Sequence, residues 1–226
     1  MQGQDFALIA PRLKRVDLEV GQVLSRPGEP FETICFPEAG VVTFSDRLAD
    51  GRRIGIGHLG YDGFAGWPAL MGCPSSPHEA RVTAEGGRAL RISVADLRSA
   101  CAQSEPLRDL LLCFVQIFLV QLGRTIVSSL TQPVETRLCR WTLMAQDRIG
   151  GDEIRVTHDE IAVMLGIRRA SVTDALHMLE GERLIRSSRG LVVVRDRDGL
   201  RRHAGETYGF YEAEYTRLIA PFPASS

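Results

Sequence analysis

Residues Val156–Ile185 read VTHDEIAVMLGIRRASVTDALHMLEGERLI, and the order of residue types in this stretch decides the fold of the C-terminal third. Thr157 followed three residues later by Glu160 is a capping box, in which each side chain satisfies an amide left without a partner at a helix start. The helix so opened turns Ile161, Ala162 and Leu165 inward. Gly166 supplies a tight turn, and Val172, Ala175, Leu176 and Leu179 recur at helical spacing as the buried stripe of a second helix. The pattern predicts a helix-turn-helix. Beyond it RLIRSS and GLVVVRDR straddle Arg189-Gly190 as a β-hairpin.

Arg168 and Arg169 stand at the start of the second helix, where the macrodipole is positive and a cation is disfavoured by a few tenths of a kcal/mol. Folding gives no reason for them, whereas an anionic partner does. Arginine forks to guanine O6 and N7 or to phosphate, and a helix of this kind presents its first turn to the major groove. Ser171 and Thr173 add hydroxyls for phosphate or thymine. The candidate DNA-contacting set is Thr157, His158, Arg168, Arg169, Ser171, Thr173, Ser188 and Arg189, with two solvated surface arginines as the bland alternative. Residues 133–205 hold thirteen arginines against eleven carboxylates, so the inference rests on placement rather than bulk charge.

Upstream, the chain from Val16 to about Ile92 is made of short alternating runs separated by glycines, which predicts an antiparallel β-roll or barrel. Asp50-Gly51 is its best hairpin turn, and GYDGFAGWPALMGCPSSP from Gly60 reads as a long loop with one helical turn. Ser93 caps a helix, and Pro106 sits in the first turn of a second that runs to about Leu130. That second helix is apolar nearly all round and needs two surfaces to pack against: the β-roll and the same helix of a second subunit, or one enclosing core in a monomer. Leu111, Phe114, Phe118, Gln121 and Thr125 are expected to carry a two-fold interface. Pro133 breaks the helix, and aromatics from Tyr208 onward predict a last helix before a frayed PFPASS end.

The chain resembles the Crp/Fnr family of bacterial transcription regulators over nearly its whole length. The resemblance is carried by R-L-C-R-W from Arg137, by the run from Thr157, by L-E-G-E-R-L-I, by Arg189-Gly190, and by a glycine framework at Gly21, Gly28, Gly40, Gly51, Gly60, Gly63 and Gly66. It implies an α+β architecture: residues 1–105 as a cyclic-nucleotide-binding-like antiparallel β-roll, 106–132 as a dimerisation helix, and 133–226 as a winged helix-turn-helix with a C-terminal extension. It places Arg169 on the base-reading arginine and implies a homodimer on a palindromic operator in double-stranded DNA, with RNA polymerase and an unidentified small-molecule effector as further partners. Ala170 stands where the family's base-reading glutamate would be, and Asp174 where it has a further arginine. In the phosphate-binding cassette Gly66 is followed by Trp67, and His78-Glu79 replace an Arg-Ser or Arg-Thr pair. Leu122-Gly123 lies where cyclic AMP binders have a hydroxyl pair. Gly66, Trp67, His78 and Glu79 are therefore the candidate effector pocket, and tight cyclic AMP binding is not expected, since a carboxylate repels a cyclic phosphate.

The rest of the composition narrows the class. With 27 basic and 28 acidic residues in 226 the net charge is −1, so no bulk polycation points to nucleic acid or membrane. Five scattered cysteines without a C-x-x-C pair argue against a disulfide framework or zinc knuckle, and five histidines never fall at H-x-H or H-x-x-x-H, against a cupin-like metalloenzyme. No nucleophile elbow or P-loop is present. The apolar run Leu110–Leu122 is too short to span a bilayer, and the N-terminus is too polar for a secretory signal. A cytoplasmic, non-enzymatic protein without cofactor or metal is expected.

Overall fold

The computed structural model describes residues 3–220. Seven strands of the N-terminal half form two antiparallel sheets: β1 (Lys14–Leu18), β7 (Gly87–Ser93) and β3 (Thr33–Pro37) in one, and β2 (Val23–Ser25), β6 (Glu79–Thr83), β4 (Val41–Arg47) and β5 (Arg53–Leu59) in the other. Ile34, Val42, Phe44, Leu59, Val82, Ala89 and Ile92 make the core of the roll between the two sheets. Asp50 and Gly51 turn β4 into β5; Gly51 takes φ +85° and the Asp50 carboxylate accepts from the Arg52 amide at 3.0 Å. Two glycines of β5 permit close approach. A Cβ on Gly55 would lie 2.8 Å from Met164 Cα, and one on Gly57 would lie 2.9 Å from the Leu122 side chain.

Ser93 caps α2 (Val94–Gln103), accepting from the Asp96 amide, and Ser104 caps α3 (Glu105–Thr131), accepting from the Leu107 amide. At 27 residues α3 is about 40 Å long. By length and composition alone it could cross a membrane, which the shorter run Leu110–Leu122 could not. One face is instead seated in the β-roll core: Phe114 meets Phe64 at 4.9 Å, and Phe118 meets Phe44 at 5.2 Å and Trp67 at 6.0 Å between ring centres.

Most side chains expected at a two-fold interface face into the chain itself. Leu111, Phe114, Phe118 and Gln121 are buried within the chain, and the Gln121 carboxamide oxygen accepts from the His58 amide at 2.9 Å. Thr125 is half-buried and donates to the Gln121 carbonyl. The face left outside runs Leu112, Gln116, Leu119, Gly123, Ile126 and Leu130, all exposed, with Leu130 at 80%. Their spacing alternates four and three residues, which is the seam of a left-handed coiled coil.

Pro133 precedes α4 (Val134–Ile149), whose residues 138–148 are buried on all sides. Then come β8 (Glu153–Ile154), α5 (His158–Leu165), α6 (Arg169–Gly181), β9 (Ile185–Ser188) and β10 (Leu191–Val194), the strands pairing antiparallel in the order β8-β10-β9. β8 ends at Ile154, and beyond it the Val156 amide bonds to the Gly190 carbonyl. α7 (Arg197–Ala204) and α8 (Phe210–Leu218) follow, and the PFPASS end lies outside the described residues. A first helix, α1 (Gly3–Ile9), was not foreseen in the sequence pattern because only Ile9 of it is buried and no stripe marks it.

A buried ionic network ties the two halves together. Arg148 of α4 donates to Asp62, in the loop after β5, at 2.6 Å, with both side chains fully buried. The Tyr211 hydroxyl of α8 donates to the same Asp62 oxygen at 2.7 Å. Beside them Asp147 accepts from Arg197 at 2.7 Å and from the Tyr208 hydroxyl at 2.6 Å.

Candidate functional site

The helix-turn-helix is built from local signals. Thr157 and Glu160 form the capping box, with Thr157 Oγ1 both accepting from the Glu160 amide and donating to its carboxylate. The Thr157 hydroxyl is thereby committed to the helix start. Gly166 ends α5 in the left-handed region, and the Arg137 guanidinium of α4 donates to the Leu165 carbonyl, fixing the turn to the body of the domain. Val172, Ala175, Leu176 and Leu179 bury the inner side of α6.

The outer side of α6 is open. Arg168 is its N-cap residue and makes no side-chain cap, and Arg169 is its first residue. Arg169 is 67% exposed and pairs loosely with Asp159, at 3.5 Å. An exposed pair of this kind holds about 0–1 kcal/mol, so Arg169 can exchange Asp159 for another anion at little cost. Ser171 is half-buried. The Thr173 hydroxyl donates to the Arg169 carbonyl at 3.3 Å and lies 3.0 Å from His158 Nδ1, so the polar tips of Thr173 and His158 hold each other. Ser188 and Arg189 are exposed at the turn between β9 and β10. Asp174 and His177 also lie exposed on α6, and Arg186 on β9, although sequence reasoning passed over them as contacts. The signal was the helical period continued past the first turn: Arg169, Thr173 and His177 are four residues apart.

Of the four residues of the expected effector pocket, Trp67, His78 and Glu79 each meet a partner within the chain. Gly66 takes φ +95° beside Ile34, and the Trp67 ring is packed toward Phe118. His78 Nδ1 lies 2.7 Å from Asp46. Glu79 meets Arg81 at 2.9 Å and Arg53 at 3.2 Å. Burial opposes its ionisation, yet the two guanidiniums hold its carboxyl below the usual range. Of the cysteines, Cys73 is exposed; burial pushes the Cys139 thiol up to about 12.

Comparison with known proteins places these features in tandem. Residues 15–104 match the cyclic nucleotide-binding domain, and residues 136–203 match the Crp-like helix-turn-helix domain. The chain belongs to the Crp/Fnr family of transcriptional regulators. A CRP-like cAMP-activated global transcriptional regulator of Mycobacterium tuberculosis is 26% identical over 206 residues, covering 88% of this chain and 92% of that protein. Among solved structures, FixK2 from Bradyrhizobium japonicum shares the fold at a TM-score of 0.73 and 18% identity, covering 85% of this chain and 98% of that one. A transcriptional regulator of the CRP family from Thermus thermophilus does so at 0.70 and 22%, covering 85% and 97%.

As a Crp/Fnr regulator the chain carries a helix-turn-helix DNA-binding domain. Its domain junction sets the electrostatics next to that domain. His58 of β5 is fully buried, and burial, with Arg148 and Arg140 nearby, pushes its pKa well below the ordinary value, so its ring is neutral. Burial lowers Arg140 to about 10. Burial likewise opposes the charge of Arg148, but Asp62 and the neighbouring acidic groups outweigh it and its pKa is raised.

Proposed function

We propose that the chain acts as a homodimer that reads an inverted-repeat operator, with α6 of each subunit in the major groove. The observation that carries this is Arg169: exposed, first in its helix against the dipole, and held by a weak surface pair. Arg168 and Arg189 serve as phosphate contacts, with Ser171, Thr173, His158 and Ser188 as nearby polar groups and Thr157 as the cap that positions them. The dimer forms along Leu112, Leu119, Ile126 and Leu130 of α3, because that seam is the apolar face which the chain itself leaves uncovered. Residues 1–105, 106–132 and 133–226 then act as sensor, dimer helix and DNA reader, in the cytoplasm.

Control by a ligand other than cyclic AMP follows from the cassette. Trp67, His78 and Glu79 are each engaged within the protein, and Glu79 brings a carboxylate where a cyclic phosphate would need a cation. Selection of bound fragments from random DNA tests the proposal. A palindrome with half-sites about 10 base pairs apart is expected. A second reading, an interaction module without DNA binding, draws on Ala170 and the exposed acid Asp174; absence of any enriched sequence and of any mobility shift at low salt would favour it.

A further inference from the structure

A cavity of about 260 Å³ opens between α1, the β-roll, α3 and α8. Six of its lining residues are aromatic: Phe6 of α1, Phe36 of β3, Tyr61 and Phe64 of the loop after β5, Phe114 of α3 and Tyr215 of α8. Phe36, Phe64 and Phe114 form a continuous wall, with ring centres 5.2 and 4.9 Å apart. None of Gly66, Trp67, His78 or Glu79 lines this space, so it is distinct from the phosphate-binding cassette.

The lining defines what fits. Among the described residues around the cavity there is no cation, and the one carboxylate, Asp62, already takes the Gly60 amide at 2.7 Å, Arg148 at 2.6 Å and Tyr211 at 2.7 Å. A charged guest would find no counter-charge and would be desolvated without compensation. Aromatic walls favour a ring that can meet them edge-on or offset. The volume is just under the ~300 to 1,000 Å³ of drug-sized pockets, which limits the guest to one or two rings.

The cavity also touches the domain junction. Tyr61, in its wall, donates its hydroxyl to the Asp147 carbonyl at 2.7 Å, and Asp62, next in sequence, holds Arg148 and Tyr211. α4 thus meets the cavity through two adjacent residues of one loop, and α8 meets it both through Asp62 and directly through Tyr215. We propose that this cavity is an effector site for a neutral, compact aromatic molecule, and that its occupancy is transmitted to the helix-turn-helix domain through Tyr61 and Asp62. The regulatory role rests on the function proposed above; the binding site does not.

The test uses the full-length protein without DNA, with 2-naphthol and indole as probes and cyclic AMP as comparator. Ligand-observed NMR and calorimetry should show saturable binding of at least one aromatic probe, near one site per chain. Leu110→Trp, which fills the cavity from a half-buried position, should weaken it at least tenfold with the melting temperature held; Leu13→Trp repeats the block from another wall should the first variant fold poorly. Hydrogen exchange at residues 147–150 and 208–215 should slow on saturation with the probe. Absence of saturable binding, or binding unchanged in a folded blocking variant, overturns the site. Binding with unchanged exchange overturns the coupling. Neither readout involves DNA, so failure here is distinct from failure of operator binding.

Discussion

Replacing Asp62 by alanine should do more damage than any other single change at the domain junction. Arg148 sits with no exposed side-chain surface, and Asp62 is the carboxylate directly paired with it at 2.6 Å. The Arg148 guanidinium also donates to the Met144 carbonyl at 2.8 Å, which carries no charge. Removing the Asp62 carboxylate leaves a buried cation uncompensated and takes the acceptor from Tyr211, which costs about 3–5 kcal/mol. In a chain of this size ~1 kcal/mol moves the melting temperature by about 2–4 °C, so a fall on the order of 6–20 °C is expected. Asp62→Leu combined with Arg148→Met should recover most of that loss, because an apolar pair of similar volume is often neutral relative to a buried ion pair. Calorimetric unfolding of the wild type, both single variants and the double variant supplies the cycle. If Asp62→Ala costs less than about 1 kcal/mol, the pair behaves as a solvated surface bridge and the junction is open to water.

Charge on the outer seam and on the inner face of α3 should act differently. Leu119→Glu should give a folded monomer by light scattering, whereas Phe114→Glu should unfold the β-roll, and a dimeric Leu119→Glu would refute the seam. Because the native His58 pKa is depressed, the unfolded chain binds the extra proton, and stability should fall as pH drops below about 6.5, by up to ~1.4 kcal/mol per unit. His58→Gln should flatten that slope; burial raises Glu212, which contributes in the opposite sense, so the variant is compared with the wild type at each pH. Calorimetry with cyclic AMP should show no micromolar binding, and a micromolar dissociation constant would show that the cassette works without its usual phosphate cation.

The helix-turn-helix was legible because its signals are local. Thr157 and Glu160 are three residues apart, Gly166 has one conformational task, and the stripe from Val172 to Leu179 follows a single period. The face of α3 was not legible for the opposite reason. With apolar residues on every side, periodicity cannot say which stripe meets the chain's own β-roll, and the stripe left exposed is interrupted by Gln116 and Gly123. The cassette departures at Trp67, His78 and Glu79 were visible as residue types. Their partners Phe118, Asp46 and Arg53 were not, since each is distant in sequence and is brought in only by the fold. The junction network was invisible altogether: Asp62 lies 86 residues from Arg148 and 149 from Tyr211, and no local pattern links them.

Arg169 is proposed to read one base in each half-site. Titrations of wild type and Arg169→Ala on a selected operator and a scrambled duplex, each at several salt concentrations, test that role. The prediction is a loss of ~1–3 kcal/mol per lost contact on the operator, little change on the scrambled duplex, and relaxed preference at one position per half-site. A uniform weakening of both sequences with a salt slope shallower by about one unit per lost contact would make Arg169 a phosphate contact instead, and unchanged affinity and preference in a folded dimer would contradict the claim outright.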